Sequence, residues 1–144
     1  MNRFEEKVVI VTGAGSGLGQ AAALQLAKEG AKLVLVDINQ AGLDDTKSKV
    51  QAVAPKVETL LVTANVATES EVENFVNQTV ERFGKIDAFF NNAGVEGKQN
   101  LTEDYGTDEF QKVVSINLNG VFYGMKYVLK VMKEQGYGTI VNTA

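Results

Sequence analysis

Apolar and polar positions along the chain follow two alternating patterns, one typical of buried strands and the other of helices. Short apolar runs predict strands near residues 7–12, 32–36, 57–63, 86–91 and 138–143. Between these runs, apolar residues recur at helical spacing and predict helices near 17–29, 40–53, 69–83 and 107–134. Such alternation builds a parallel sheet with helices on both faces, in which ligands bind at the carboxyl ends of the strands.

A glycine-rich turn joins the first predicted strand to the first predicted helix. Its sequence is Thr12-Gly13-Ala14-Gly15-Ser16-Gly17-Leu18-Gly19. Glycine lets the backbone come close to a pyrophosphate, and the unpaired N–H groups and dipole at a helix start favour negative charge. An ordinary flexible turn is the alternative, but the position between a strand and a helix favours a dinucleotide site.

An acidic residue ends the second predicted strand. Asp37 follows the apolar run 33–36, where a carboxylate can accept hydrogen bonds from both hydroxyls of an adenosine ribose. The same carboxylate would repel the 2′-phosphate of NADP, and neither Ser16, Ile38 nor Asn39 supplies a compensating positive charge. NAD is therefore the predicted cofactor. The alternative is that Asp37 simply caps the next helix, a role that Asn39 could share.

Composition excludes several classes of chemistry. The chain has 144 residues, 44% of them hydrophobic, and contains neither cysteine nor histidine. Disulfides, thiol nucleophiles, zinc–thiolate sites and the commonest general base and metal ligand are therefore ruled out, and no metal site is predicted. A formal net charge of −4 argues against nucleic acid as a partner, because phosphate backbones bind clustered lysine and arginine.

Length and hydropathy indicate a single domain in the cytoplasm. The chain is of ordinary one-domain size. No apolar stretch approaches the roughly 20 residues that span a bilayer, and the first residues are too polar for a signal peptide. We therefore expect a soluble cytoplasmic protein with no membrane partner.

Several motifs occur together in the order found in one enzyme family. They are Thr12-Gly13-x-x-x-Gly17-x-Gly19, Asn91-Asn92-Ala93-Gly94, Asn117 within the helical segment 115–120, and the closing segment 138–144. On these motifs the chain resembles the short-chain dehydrogenase/reductase family from its first strand to its last residue. The resemblance implies a Rossmann-type, doubly wound α/β sheet of about five strands in the order 3-2-1-4-5, incomplete at its C-terminal side.

The resemblance also implies roles for individual residues. Residues 92–94 would approach the adenosine half of the cofactor, and Asn91 would tie neighbouring strands together. Asn117 would distort the long helix and hold a water that relays protons toward a catalytic lysine, which makes it the candidate catalytic residue. The candidate NAD contacts are Gly13, Ser16, Gly17, Leu18, Gly19, Asp37, Ile38, Asn65, Val66, Asn92, Ala93 and Gly94.

Residues 91–94 and Asn117 have alternative interpretations, and Asn65 departs from the family pattern. Without the resemblance, residues 91–94 are also typical of a strand-end turn, and Asn117 of a solvent-facing helical position. Asn65 stands where the family usually has an aspartate. Its amide oxygen can still accept a hydrogen bond from the adenine amino group, but without the added strength of a charged acceptor.

The family's reactive tyrosine and lysine do not occur in this sequence. Hydride transfer between a nicotinamide and a carbinol carbon needs a group that takes or gives the hydroxyl proton. The family uses Tyr-x-x-x-Lys for this purpose, with a serine that orients the substrate oxygen, but no tyrosine here has a lysine four residues later. The pairs Tyr123–Lys126 and Tyr127–Lys130 are three residues apart and are interpreted as structural or interface residues.

These observations predict that residues 1–144 are the single dinucleotide-binding domain of a longer NAD-dependent oxidoreductase, and that the chain alone is inactive. The loop 95–100 and residues 91–94 look closest to family members that act on cyclic ketones or secondary alcohols. A non-catalytic nucleotide-binding regulatory module is one alternative. A methyltransferase that uses S-adenosylmethionine is another, although its usual glycine spacing differs and residues 91–94 would have no role.

The predicted partners are a small-molecule alcohol or ketone and further copies of the chain. A last strand at the edge of the sheet would leave apolar surface uncovered. By resemblance, the long helix packs against its counterpart in a dimer, so we expect a homo-oligomer, either a dimer or a tetramer. Packing on the chain's own sheet is the alternative for one face of this helix. Its apolar residues are Val121, Phe122, Met125, Val128, Leu129 and Met132.

Overall fold

A parallel sheet forms the centre of the computed structural model, which describes residues 2–144. Its strands are β1 (Val8–Thr12), β2 (Lys32–Asp37), β3 (Thr59–Thr63), β4 (Ala88–Asn91) and β5 (Thr139–Asn142). They lie in the order β3-β2-β1-β4-β5, and each pairs in parallel with its neighbour. The predicted fold class and strand order are confirmed.

Helices connect the strands and differ from the prediction at one place. They are α1 (Gly17–Lys28), α2 (Gln40–Val53), α3 (Glu69–Phe83), α4 (Thr107–Val114) and α5 (Gly120–Gln135). The helix predicted over 107–134 is present as an unbroken helical segment, but a π-helical turn, Ser115–Asn119, divides it into α4 and α5. No helix within residues 2–144 combines the length and the apolar character needed to cross a membrane.

Strand β1 is buried on both faces because its side chains alternate between two apolar layers. Val9 and Val11 cluster with apolar residues of α1 and α2, whereas Val8 and Ile10 cluster with those of α3 and α5. A strand covered on both faces is apolar along its whole length. This two-sided burial explains why a continuous apolar run, rather than an alternating pattern, predicted the strand.

Helix α5 divides its apolar residues between the core and the surface. Val128 and Met132 belong to the core on the α3 side of the sheet, so packing on the chain's own sheet accounts for them. Phe122 and Leu129 are about half exposed. The predicted interface face is therefore narrower than the sequence pattern indicated.

Strand β5 is an edge of the sheet with little cover. Among the described strands it pairs only with β4, and Val141 is 55% exposed. An apolar cleft of about 850 Å³ lies beside it on the α1 side of the sheet. The prediction of uncovered apolar surface at this side of the sheet is confirmed.

Glu29, just after α1, anchors the N-terminal segment. Its carboxylate is buried, and Arg3 donates to both of its oxygens, with a distance of 2.6 Å from Nη2 to Oε1. Gln25 Nε2 donates to Oε1 at 2.9 Å. The hydrogen bonds from Arg3 and Gln25 lower the pKa of Glu29 to about 2.

Replacing Glu29 with glutamine should destabilise the protein near neutral pH, because the charged partner of Arg3 is lost while the side-chain shape is kept. Folding lowers the pKa of Glu29 from 4.5 to about 2, so its stabilising contribution is complete above 4.5 and is lost as the pH falls toward 2. The difference in urea midpoint between wild type and Glu29→Gln should therefore be largest above about pH 5 and shrink as the pH falls toward about 2. A difference that stays constant with pH would contradict this expectation.

Candidate functional site

The carboxyl ends of the strands border a cleft of about 640 Å³. All but one of the predicted site residues line it together: Gly13, Ser16, Gly17, Leu18, Asp37, Ile38, Asn65, Val66, Asn92, Ala93, Gly94 and Asn117. The lining residues that sequence reasoning did not assign to the site are Val36, Ala64, Ile116, Val121, Thr143 and Ala144. Three of these, Val36, Ala64 and Ile116, are chain neighbours of a predicted site residue, and Thr143 and Ala144 belong to the closing segment 138–144. This adjacency was the available signal.

The glycine turn forms one wall of the cleft. Gly13 and Gly17 have φ values of 67° and 53°, and a Cβ on Gly13 would lie 3.0 Å from the Asn92 side chain. Ser16 is the N-cap residue of α1 but makes no side-chain cap hydrogen bond, and the first turn of α1 has no acidic residue. The N–H groups of that turn are thus available to an anion, so the turn fits a pyrophosphate.

Gly19 lies behind the turn and is not among the lining residues. It is buried, and a Cβ there would lie only 2.1 Å from the carbonyl oxygen of Gly13. The absence of a side chain lets α1 pack directly against the turn, a role that the last glycine of such turns commonly has.

The carboxylate of Asp37 is held by two backbone N–H groups. Oδ2 accepts a hydrogen bond from Gly15 N, and Oδ1 accepts one from Asn39 N, both at 2.9 Å. Asn39, not Asp37, caps the N-terminus of α2, because its Oδ1 accepts a hydrogen bond from Gly42 N at 3.1 Å. Asp37 is the only residue with a charged side chain among the described lining residues, none of which is lysine or arginine.

A hydrogen bond within the turn 65–67 orients the Asn65 side chain. Its Oδ1 accepts a hydrogen bond from Ala67 N at 3.0 Å, and its backbone N–H donates to Glu71 Oε1 at 3.2 Å. An amide oxygen has two lone pairs, so an adenine amino group would share Oδ1 with Ala67. The Asn65 side chain is therefore a pre-oriented but partly occupied acceptor.

Polar side chains fasten the ends of β1, β4 and β5 to one another. The buried Thr12 Oγ1 accepts hydrogen bonds from Asn92 N and Ala93 N at 2.9 and 3.0 Å. Asn92 Nδ2 donates to the carbonyl oxygen of Thr12 at 3.2 Å, and Thr143 Oγ1 donates to Asn92 Oδ1 at 2.9 Å. These bonds hold residues 92 and 93 beside Gly13 at the carboxyl end of β1.

The buried Asn91 joins β4 to both of its neighbours on the β5 side. Its Nδ2 donates to Asn142 Oδ1 on β5 at 3.1 Å and to the carbonyl oxygen of Val121 on α5 at 3.0 Å. The contact with Asn142 is the tie between neighbouring strands that the resemblance implied.

Asn117 lies in the π-helical turn, so the helix is distorted at this residue. Its side chain is exposed in the cleft but holds the Val95 backbone: Oδ1 accepts from Val95 N at 2.8 Å, and Nδ2 donates to Val95 O at 2.7 Å. In the turn, the Gly120 N–H reaches back five residues to Ser115 O, which changes the carbonyl pairing of the helix. The distortion therefore places a polar side chain against the loop that borders the cleft.

The tyrosine and lysine residues of α5 lie outside the cleft. Lys126 Nζ and Tyr127 OH both donate to Glu69 Oε1 on α3, at 2.6 and 2.9 Å. The hydrogen bond to Glu69 raises the pKa of Tyr127, whereas a catalytic tyrosine needs a lower one. These contacts agree with the structural interpretation of the α5 pairs.

Comparison with known proteins adds a family relationship. The family model described as short chain dehydrogenase matches residues 7–144. Over 142 residues the chain is 58% identical to a levodione reductase of Leifsonia aquatica. Over 143 residues it is 38% identical to a cyclohexanol dehydrogenase of Acinetobacter sp. strain SE19. Each alignment covers 99% of this chain but only 53% or 56% of the relative, so the chain spans about half the length of the curated relatives it matches.

Solved structures show the same relationship. A crystal structure of levodione reductase superposes with a TM-score of 0.97 at 58% identity, and covers 99% of this chain and 55% of that chain. A crystal structure of NAD⁺-bound xylitol dehydrogenase gives a TM-score of 0.94 at 42% identity, with 99% and 54% covered.

Replacing Thr12 with valine keeps the side-chain shape but removes the acceptor for Asn92 N and Ala93 N. Loss of these bonds should lower the free energy of unfolding by about 1–3 kcal/mol in urea denaturation. Thr12→Ser keeps the hydroxyl and removes only a methyl group, so it should cost about 1 kcal/mol or less. Equal losses in the two variants would show that the hydroxyl does not fasten these strand ends.

Proposed function

Since the chain belongs to the short-chain dehydrogenase family, we propose that it is the NAD-binding domain of an oxidoreductase that interconverts ketones and secondary alcohols. The cleft at the strand ends carries this proposal, because it brings the glycine turn, Asp37 and residues 92–94 together. Their sequence spacing alone does not require that proximity. The domain is proposed to be the N-terminal part of a longer enzyme.

Each part of the cleft matches a part of a dinucleotide. The first-turn N–H groups of α1 would bind the pyrophosphate, and the carboxylate of Asp37 would accept hydrogen bonds from the adenosine ribose. Leu18 and Ile38 are 70% and 67% exposed, so a bound cofactor would cover apolar surface there. Asn65 would accept a hydrogen bond from the adenine amino group. When bound, the nicotinamide supplies or accepts the hydride.

Charge supports NAD over NADP as the cofactor. A 2′-phosphate would face the Asp37 carboxylate in a cleft whose described lining has no lysine or arginine. The similarity to an NAD⁺-bound xylitol dehydrogenase agrees with this choice. NADP would therefore lose affinity both from repulsion and from the lack of a cationic partner.

The proposed substrates are cyclic ketones or the matching secondary alcohols. Cyclohexanol is a cyclic secondary alcohol, and it is named as the substrate of a 38% identical relative. Val95, in the loop that borders the cleft, is held by Asn117 and is 39% exposed. An apolar side chain at this point suits an apolar ring next to the reacting carbon.

Asn117 is proposed to assist proton transfer without performing it alone. Its clamp on Val95 fixes the π-helical turn beside the cleft, where a water bound to the turn could pass protons. The sequence contains no Tyr-x-x-x-Lys to exchange the hydroxyl proton, so this chain by itself is proposed to lack turnover.

A homo-oligomer, a dimer or a tetramer, is proposed to form through the helices after β4. Phe122 and Leu129 on α5 are 54% and 50% exposed, and Phe110 on α4 and Leu118 in the π-helical turn are 60% and 64% exposed. Large exposed apolar side chains grouped on neighbouring helices are typical of a protein interface.

The cofactor assignment is tested by titrating the purified chain with NAD and NADP in ligand-detected NMR. We expect NAD to bind at least about tenfold more tightly than NADP. Asp37→Asn should reduce that ratio by about tenfold, because it removes the charge that repels the 2′-phosphate and weakens the ribose hydrogen bonds. Asp44→Asn makes the same charge change on an exposed residue outside the cleft lining and should leave the ratio unchanged. Absence of NAD binding by the wild type would refute the proposed function of the cleft.

The catalytic proposal is tested by incubating the chain with NAD and cyclohexanol and following NADH absorbance. We expect no NADH formation above the rate without protein, because the sequence contains no Tyr-x-x-x-Lys to exchange the alcohol proton. Sustained NADH formation would contradict this expectation, because it would show that another residue exchanges the alcohol proton.

A further inference from the structure

We propose that Gly15 is a positioning residue that sets the preference for NAD over NADP by holding the Asp37 carboxylate in place. The inference rests on the proposed function and concerns how the same cleft selects its cofactor. Gly15 itself is not among the residues that line the cleft. Its effect would therefore pass through Asp37.

The first observation is the hydrogen bonding of the carboxylate. Gly15 N donates to Oδ2 and Asn39 N donates to Oδ1, each at 2.9 Å. One backbone N–H thus fixes each oxygen, and the remaining lone pairs stay available to the two ribose hydroxyls. A carboxylate held in this way does not need to reorganise when the ribose binds.

The second observation is the lack of space between Gly15 and Asp37. A Cβ on Gly15 would lie 2.9 Å from Oδ2 and 3.0 Å from Cγ of Asp37. Gly15 is not one of the glycines with positive φ, so its backbone conformation is open to other residues. A methyl group at this position would therefore push the carboxylate off the N–H group.

The third observation is that α2 packs closely against the other side of the turn and opposes a shift of the turn away from Asp37. On its other side, a Cβ on Gly42 of α2 would lie 2.8 Å from the carbonyl oxygen of Gly15, so the two backbones are already close. The buried Thr46 Oγ1, also on α2, donates to the carbonyl oxygen of Ala14 at 2.7 Å. Any added volume at Gly15 must therefore be accommodated by the Asp37 side chain.

The consequence differs for the two cofactors. NAD uses the Asp37 oxygens as acceptors, so a displaced carboxylate weakens its binding. NADP carries a phosphate in place of the 2′-hydroxyl and gains nothing from a well-placed carboxylate. Gly15→Ala should therefore lower the ratio of NAD affinity to NADP affinity by roughly tenfold, the effect of losing one charge-assisted hydrogen bond.

A double-mutant cycle on the purified chain tests the inference, with dissociation constants for NAD and NADP from ligand-detected NMR. Wild type, Gly15→Ala, Asp37→Ala and Gly15→Ala/Asp37→Ala are compared. The ratio should fall by roughly tenfold on Gly15→Ala in the wild type but stay unchanged when the same substitution is made beside Asp37→Ala. Gly84→Ala is the matched control: it adds a methyl group at the αL C-cap of α3, outside the cleft lining, and should leave the ratio unchanged.

Several results would overturn the inference. Equal losses of NAD and NADP affinity in Gly15→Ala would make Gly15 only a structural spacer. An undiminished effect beside Asp37→Ala would show that Gly15 acts independently of the carboxylate. If Gly15→Ala alone does not fold, circular dichroism of the double variant decides, because removing the Asp37 side chain should restore folding. Failure to restore it would contradict the proposed contact.

The same measurements separate this inference from the proposed function. If the wild type binds NAD in preference to NADP and Gly15→Ala keeps that ratio, the inference fails while the cofactor assignment stands. If the wild type binds neither nucleotide, the proposed function fails and the inference fails with it.

Discussion

The close approach of backbone to backbone around the glycine turn is the constraint on which the cleft depends. Gly19 lets α1 touch the carbonyl of Gly13, and Gly42 lets α2 touch the carbonyl of Gly15. Side chains at these positions would move the two helices outward, and the N-terminus of α1 and the Asp37 carboxylate would no longer face the same space. The proposed anion site and the proposed acceptor for hydroxyl groups can therefore share one cleft only because glycine has no side chain at these positions.

A second set of contacts aligns the strand ends with that turn. Thr12, Asn91 and Asn92 form hydrogen bonds with the backbone and side chains of neighbouring elements. Each bond satisfies a group that would otherwise be buried without a partner, so the network stabilises the ends of the sheet and also specifies their alignment. Asn117 likewise uses side-chain hydrogen bonds to hold the loop after β4 against the π-helical turn.

Much of the fold could be predicted from the sequence because the central strands of the sheet are covered on both faces. Two-sided burial makes β1 and β2 continuous apolar runs, and these were placed within a residue or two of their observed ends. The break between α4 and α5 could not be found from residue patterns, since a π-helical turn keeps helical dihedral angles and changes only the hydrogen-bond partners. By resemblance, however, a distortion was expected at Asn117, where it occurs.

The sequence by itself determined the parallel α/β sheet expected from the alternating elements, the glycine turn, the acid after β2 and the lack of a Tyr-x-x-x-Lys pair, and the family resemblance implied the strand order. These features follow from local spacing and residue type. Only the tertiary structure decided that Gly15 holds Asp37, that Thr143 bonds Asn92 and that Asn117 clamps Val95. The members of each pair are more than twenty positions apart in the chain, and hydrogen bonds form only within about 3 Å, so packing alone brings them into contact.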